Sequence, residues 1–393
     1  MNPQTSEVNL ALLRCQACGT NLDPRQPIWA CHCGGLLDVV MPAVFPWEAM
    51  RERPAGLWRY REALALPAAA RPVSLGEMRT PLLAADDTDS RLYLKLDILF
   101  PTGSFKDRGA AVMMTHVRNL GVTNVVEDSS GNAGAAVAAY AAAAGIAATI
   151  YVPASAPPAK TAQIALYGAQ LVRVPGSRAA TTEAVQAEAR RTYYASHVWN
   201  PFFLEGTKTV AFEIWEQLGW RAPEWVITPV GHGTMLLGLF NGFDHLLRAG
   251  VIDRLPRIVG VQAANVAPLA AAVERHSAFL PEICPADTLA DGIAIAQPLR
   301  WRQILAAIAA SDGQIVTVSE QEIRQAVVAW SRKGILMEPT SATALAAYTY
   351  LSRSRSIDRS ATVVVPVTGS GLKSAERILT ENLTKPEASG ILP

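Results

Sequence analysis

Lys106 sits in the run Pro101-Thr102-Gly103-Ser104-Phe105-Lys106-Asp107-Arg108-Gly109, and its chemistry depends on losing a proton. A lysine at the mouth of a helix, beside an aromatic ring, is placed to be desolvated. Burial and a helix N-terminus both disfavour the ammonium form, which frees the amine to attack an aldehyde. Taken alone, an ordinary surface lysine is the plainer reading. Two further runs could hold anions. Gly231-His232-Gly233-Thr234-Met235 lies between a strand-like run and a helical one, so its backbone amides suit a phosphate. It is not the dinucleotide fingerprint, because the third glycine is Gly238 rather than residue 236. Ser129-Ser130-Gly131-Asn132-Ala133 also joins a strand to a helix, and its hydroxyls and amides suit a carboxylate. Ordinary helix capping would use the same residue types.

Four of the five cysteines form a separate constellation: Cys15 and Cys18, then twelve residues, then Cys31 and Cys33. Two close thiol pairs separated by a short stretch suit tetrahedral zinc. Gly19 and the Gly34-Gly35 pair allow tight turns behind them. His32, between the second pair, could substitute for one thiol. Four protein ligands would close the coordination shell and make the metal structural; four reduced thiols, or a site that has lost its metal, are the bland alternatives. The run Thr368-Gly369-Ser370-Gly371-Leu372-Lys373-Ser374 lacks the glycine directly before the lysine that an ATP-binding loop needs.

The elements that must position these residues alternate in kind. Residues 92–96, 124–127, 149–152, 170–174, 225–230, 257–261 and 362–367 are short apolar runs, many rich in β-branched residues, which fit strands buried on both faces. Helical spacing falls at residues 106–120, 132–144 and 160–167, with another run from about Met235. Strands alternating with helices imply an α/β fold with parallel sheets, and ligands then bind in the loops after the strands. Residues 42–72 hold several prolines and read as a connecting arm. The length of 393 residues implies two to three domains. A net charge of +1 gives no sign of a nucleic-acid partner. The N-terminus shows no secretory signal. The uncharged stretch of residues 133–154 is mostly alanine, is split by Gly145, and reads as a helix, turn and strand rather than a membrane span. A cytoplasmic chain acting on a small molecule is expected.

Together the motifs resemble the pyridoxal-phosphate enzymes of the tryptophan synthase β-subunit class, fold type II, and most closely the threonine synthases. Val73-Ser74-Leu75-Gly76-Glu77, Thr80-Pro81-Leu82, the lysine motif at residues 101–109, Leu204-Glu205-Gly206 with Lys208-Thr209, Glu338-Pro339-Thr340-Ser341-Ala342 and the run from Thr368 to Lys373 carry the likeness. Residues 31–39 resemble the zinc-ribbon-like leader of archaeal-type threonine synthases. The resemblance spans about residues 12–375. It implies a leader at residues 1–45 and a catalytic region at 46–393 built of two open parallel-sheet α/β domains, the smaller, at about residues 107–203, inserted in the larger one. It implies a homodimer. It implies Lys106 as the Schiff-base lysine with Phe105 packed beside the cofactor. Asn132 would bond the cofactor's phenolic oxygen. Gly231, His232, Gly233, Thr234 and Met235 would hold the phosphate, and Thr368 would bond the pyridine nitrogen. Ser104, Ser129, Ser130 and Ala133 would surround the substrate. A neutral hydroxyl at Thr368 fits elimination and replacement chemistry.

One stretch departs from the family. Many threonine synthases carry an arginine before Leu-Glu-Gly, where this chain has Phe203 at the end of His197-Val198-Trp199-Asn200-Pro201-Phe202-Phe203. A phenyl ring cannot make the paired charged hydrogen bonds that a phosphate prefers. Lys160, His197 and Arg108 are the candidates to replace it. The expected reaction is conversion of O-phospho-L-homoserine and water to L-threonine and phosphate. The alternative keeps the cofactor for β-elimination or β-replacement on serine, threonine, hydroxy-aspartate or an activated serine. A third reading, a non-catalytic zinc-knuckle binding protein, predicts a damaged lysine loop, whereas Lys106 and its flanks are intact.

Overall fold

The structure is a computed structural model describing residues 11–85 and 91–383, without the side chains of Ala159, Lys160 and residues 381–383. The chain forms two compact units. The first takes the residues up to Thr80, Phe100–Ala222 and Thr234–Pro256; the second takes Pro81–Leu99, Pro223–Gly233 and the chain from Arg257.

The leader contributes β1 (Leu12–Cys15), β2 (Asn21–Leu22) and β3 (Leu37–Val40). Next come β4 (Leu82–Ala84) and β5 (Leu92–Lys95). Four strands follow: β6 (Asn124–Glu127), β7 (Ala147–Pro153), β8 (Gln170–Val174) and β9 (Tyr193–Tyr194). The last four are β10 (Trp225–Pro229), β11 (Arg257–Ala263), β12 (Gln314–Val318) and β13 (Val363–Pro366). The helices that matter for the site are α1 (Lys106–Asn119), α2 (Asn132–Ala144), α3 (Pro201–Thr207), α4 (Thr209–Gln217), α5 (Thr234–Arg248) and α6 (Pro339–Arg353).

In the first unit β8, β7, β6 and β9 make a parallel sheet in that order. Helix α1 is buried from Asp107 through Val117, which makes it the unit's central helix. Helix α2 is almost all alanine, the strongest helix former and a small one, so it packs closely on its neighbours. Gly145 ends it at φ 71°, where Gly145 N–H donates to Ala142 O and Ile146 N–H to Ala141 O. That is the glycine-terminated double bond expected of a left-handed cap. Glu77 ties the run before Thr80 to α2, accepting from Trp58 Nε1, Ser74 Oγ, the Leu75 amide and Tyr140 OH at 2.6–3.0 Å. The leader's antiparallel sheet, ordered β2-β1-β3, belongs to this unit too. Trp29 packs edge-on against Tyr194 and Trp199, with centroids at 5.1 and 5.6 Å, and donates from Nε1 to Ala189 O.

The second unit holds a six-stranded sheet ordered β12-β11-β10-β13-β5-β4. It is parallel except for β4, which runs antiparallel to β5 at the edge. The central strand β13 is Val-Val-Val-Pro and buried throughout, as covered faces demand.

The expected α/β architecture with parallel sheets is present, and the uncharged stretch at 133–154 folds as α2, the Gly145 turn and β7. No helix of the described residues is long and apolar enough to cross a membrane. Residues 42–72 are more than an arm. They form a helix at Trp47–Arg51 and a tighter one at Leu57–Ala63, and buried Tyr60 donates to Glu216 Oε2 at 2.5 Å.

Candidate active site

Lys106 opens α1, and its half-buried amine lies 3.0 Å from Thr234 Oγ1, the hydroxyl of the first residue of α5. Its Nζ stands 4.2 Å from the centroid of Phe105 and 5.9 Å from that of Phe203, so aromatic faces wall the amine. The rest of the motif builds this position. Asp107 accepts from the Thr102 amide at 2.8 Å and from the Thr102 hydroxyl, closing the loop over the helix start. Arg108 makes a paired ion bridge to Glu213 on α4 at 2.7 and 2.8 Å, with both side chains fully buried. It also bonds Thr209 Oγ1 and Thr80 Oγ1 and lies over the Phe100 ring. Arg108 is therefore committed to the scaffold and does not replace the missing substrate arginine. Lys160's side chain lies outside the described residues. Ser104 Oγ is buried and has no hydrogen-bond partner among the described residues, a cost unless a ligand supplies one.

The Ser129-Ala133 run joins β6 to α2 in the same unit. Asn132 is the first residue of α2; Ser129 and Ala133 are buried, and Ser130 is half-buried. Gly134 must be glycine, because a Cβ there would meet Ser129 O at 1.9 Å. The loop thus folds tightly over the helix N-terminus, where free amides favour an anion. Glu127, the last residue of β6, is fully buried, and its Oε1 is 2.7 Å from His197 Nδ1. Burial raises its pKa well above the usual carboxylate value, with Asp128 adding to the shift.

Phe203 has zero exposure and lies on Gly109 of α1, where a Cβ would meet the ring at 2.4 Å. Gly206 answers from α3: a Cβ there would meet Arg108 O at 2.0 Å. These close approaches explain why the Phe-Phe-Leu-Glu-Gly run can sit directly beside the lysine helix. Glu205 and Lys208 pair with each other at 2.7 Å, both buried, and Glu205 accepts from the Ala65 amide.

The remaining expected residues fall into two groups. Gly231, His232 and Gly233 belong to the second unit, whereas Thr234 and Met235 open α5 in the first. Gly233 has φ 83°, which favours glycine, and a Cβ on Gly231 would meet Ile293 Cα at 2.9 Å. Within the second unit, Thr368 is buried after β13, with its Oγ1 2.8 Å from Ser341 Oγ. Ser341 Oγ accepts from the Thr368 and Gly369 amides at 3.0 Å each. Its own proton is then best given to Thr368 Oγ1, which leaves the Thr368 hydroxyl as a donor. Sequence reasoning assigned roles to Thr368 and His197 but missed Ser341 and Glu127, the groups behind them. The one visible signal for Glu127 was an acid directly after the valine pair of a short strand.

The four cysteines converge. Cys15 and Cys33 sulfurs lie 3.5 Å apart, Cys18 and Cys31 3.7 Å, and all four lie within 4.8 Å of one another. A tetrahedral zinc with Zn–S near 2.3 Å would set its sulfurs about 3.8 Å apart. Gly35 makes room, since a Cβ there would meet Cys15 Sγ at 2.6 Å, and Gly19 and Gly34 have φ 73° and 79°. His32 is exposed and stands outside the cluster.

The family described as "Pyridoxal-phosphate dependent enzyme" matches residues 73–369. The threonine synthase of Methanocaldococcus jannaschii is 35% identical over 93% of this chain and 93% of its own. That of Methanosarcina acetivorans is 33% identical over the same shares. Among solved structures, the threonine deaminase of T.th. superposes with a TM-score of 0.64 at 28% identity, covering 74% of this chain and 92% of that one. The chain belongs to the pyridoxal-phosphate-dependent enzyme family of fold type II, in its threonine synthase group.

Proposed function

We propose that the chain converts O-phospho-L-homoserine and water into L-threonine and phosphate, with pyridoxal 5'-phosphate joined to Lys106. The observation that carries this is the Lys106 amine, 3.0 Å from the first hydroxyl of the helix that follows the Gly231–Gly233 turn. An aldehyde-reactive amine and a phosphate-binding helix start are what the cofactor's two ends require. The donor set fits: amides behind two constrained glycines, an asparagine at a helix start, and a buried neutral hydroxyl at Thr368.

When bound, the cofactor supplies the electron sink for the carbanion formed on the amino acid. Lys106 Nζ would hold and move the protons at the substrate's carbons, with Phe105 packed beside it. Gly231, His232, Gly233, Thr234 and Met235 would hold the phosphate. Asn132 would donate to the phenolic oxygen, and Thr368, oriented by Ser341, to the ring nitrogen. Ser129, Ser130 and Ala133 would receive the substrate carboxylate at the α2 N-terminus, and Ser104 Oγ would gain the partner it lacks among the described residues.

Borohydride reduction of the purified holoenzyme followed by peptide mapping should leave a pyridoxyl group on Lys106. O-phospho-L-homoserine should release phosphate and threonine in equal amounts. A keto acid and ammonia from serine or threonine, with no threonine from the phosphorylated substrate, would replace this reading by β-elimination. The buried Phe203, where an arginine was expected, is the observation that favours that second reading.

We also propose a structural zinc at Cys15, Cys18, Cys31 and Cys33, supported by the sulfur spacing and by Gly35. Metal analysis should find one zinc per chain, lost on Cys15→Ser. A homodimer and a cytoplasmic location complete the reading; light scattering at about twice the 42.0 kDa chain mass would support the former.

A further inference from the structure

We infer that Trp29, carried by the leader, is a positioning residue for the loop at residues 129–133 and thereby sets how tightly the substrate binds. This deepens the proposed function and rests on that loop receiving the substrate carboxylate.

The residue directly before the loop is Asp128, and hydroxyls occupy both of its carboxyl oxygens. Tyr194 OH donates to Oδ1 at 2.6 Å, and Thr182 Oγ1 donates to Oδ2 at 2.8 Å. Burial, with the charge of Asp128 behind it, raises the pKa of Tyr194, so its hydroxyl keeps the proton it donates. These two bonds fix where the chain leaves β6. From there Ser129 O packs on Gly134, and the Gly131 amide donates to Ser129 Oγ at 3.3 Å. A shift of Asp128 is therefore passed on to the amides at the start of α2.

The two hydroxyls come from different elements, and each element needs a neighbour to hold it. Tyr194 lies in β9, which is two residues long and at the edge of its sheet. Thr182 lies in the helix Arg178–Glu188, where only Thr181 and Val185 are buried. A helix of 11 residues is marginal without packing. Trp29 touches both elements. Its ring meets Tyr194 edge-on at 5.1 Å, and its Nε1 donates at 3.3 Å to the carbonyl of Ala189, the residue that closes the helix. Carbonyls at a helix end lack partners within the helix, so that bond supplies one. Val126, Val185, Ala189 and Tyr194 form one buried apolar cluster, and Trp29, Tyr151 and Trp199 pack against it. Trp29 thus ties the sheet edge to the helix end behind Asp128. It stands two residues before Cys31, so the cysteine cluster anchors the segment that carries the ring.

A loop that is already ordered costs the substrate nothing to order, whereas a loosened one subtracts that cost from affinity. Loss of the ring should therefore weaken binding and spare the chemistry at Lys106.

The Trp29→Ala holoenzyme should show a KM for O-phospho-L-homoserine raised about tenfold and a kcat changed by less than about threefold, the pattern of lost uniform binding. Deuterium exchange should quicken about tenfold at the amides of residues 129–133 and stay unchanged in the buried part of α1. Trp29→Phe keeps a ring against Tyr194 and should return both readings to within about threefold of wild type. Tyr194→Phe removes only the hydroxyl on Asp128; it should reproduce both effects, and it carries the test if Trp29→Ala does not fold. Unchanged exchange at residues 129–133, quickened exchange with an unchanged KM, or an equal rise along α1 overturns the positioning role. So does a Trp29→Phe enzyme as impaired as Trp29→Ala. If wild type makes no threonine from O-phospho-L-homoserine, the proposed function itself fails, and the exchange readings still decide whether Trp29 orders the loop.

Discussion

The lysine motif at residues 101–109 and the segment at 197–203 meet across Gly109, and they treat buried polarity in opposite ways. In the first, nearly every charge is matched: Asp107 by Thr102, Arg108 by Glu213 with two hydroxyls behind it. In the second, rings fill the space, and the one ionisable side chain, His197, leans on a carboxyl whose pKa burial raises. The contrast teaches that a motif residue's charge does not reveal whether it serves substrate or scaffold. Arg108 looks like an anion ligand in the sequence, yet its guanidinium is consumed by a wholly buried acid.

The sharpest break of that contrast is Lys106→Ala, which removes the only side chain of the lysine motif expected to react. Threonine formation should fall at least about a thousandfold while thermal stability of the apoenzyme moves little, as loss of a nucleophilic amine predicts. A large stability loss would make Lys106 another scaffold charge. Arg108→Met tests the opposite assignment. It strands the Glu213 carboxylate in the core, where losing one partner of a buried pair costs about 3–5 kcal/mol. Calorimetry should record a large fall in Tm. A mutant with native Tm and a raised KM for the phosphorylated substrate would instead put Arg108 in the binding site.

What was legible in the sequence divides along the same line. Strands β6 and β8 and helix α2 match their sequence ranges because each is specified locally, by β-branched runs or by alanine closed with glycine. Strand β12 was not legible: Gln-Ile-Val-Thr-Val is short and half-buried, and only pairing with β11 makes it a strand. Edge strand β4 was hidden likewise, because its antiparallel course depends on β5. Helix α3 did carry a signal, Asn200 capping Phe202 and Pro201 at the first position, but its seven residues are too few for periodicity to show. In the site, Lys106, Asn132 and Thr368 stood out by local motif. Glu127, Glu213 and Ser341 did not, since each acts through a partner at least 27 residues away in sequence.

A smaller perturbation asks whether Phe203 is fixed by Gly109 or merely near it. Gly109→Ala puts a methyl group 2.4 Å from the ring, and overpacking of this kind costs about 1–3 kcal/mol. The second change Phe203→Leu, made on top, should recover part of the loss by vacating ring volume. Additive losses in the double mutant would mean that helices α1 and α3 adjust independently of that contact.

The mildest test uses pH on the same interface. About two turns along α1 from Gly109, His116 stacks on Phe202 with centroids 3.5 Å apart, and its buried Nε2 has no hydrogen-bond partner among the described residues. Burial lowers its pKa from 6.5 to about 3. Below pH 6.5 the unfolded chain therefore takes up a proton that the folded chain refuses until about pH 3. His116 thus contributes full stability above pH 6.5 and loses it as pH falls through that window. At pH 5.5 the loss is about 1.4 kcal/mol, one unit below the unfolded value. His245 shifts the same way, chiefly through burial, so wild type carries both slopes. His116→Gln should flatten the fall of Tm between pH 6.5 and 5 by roughly one proton's share and leave the His245 part intact. An unchanged slope would mean that His116 is charged in the folded chain, and that the ring-filled side of the interface holds a cation after all.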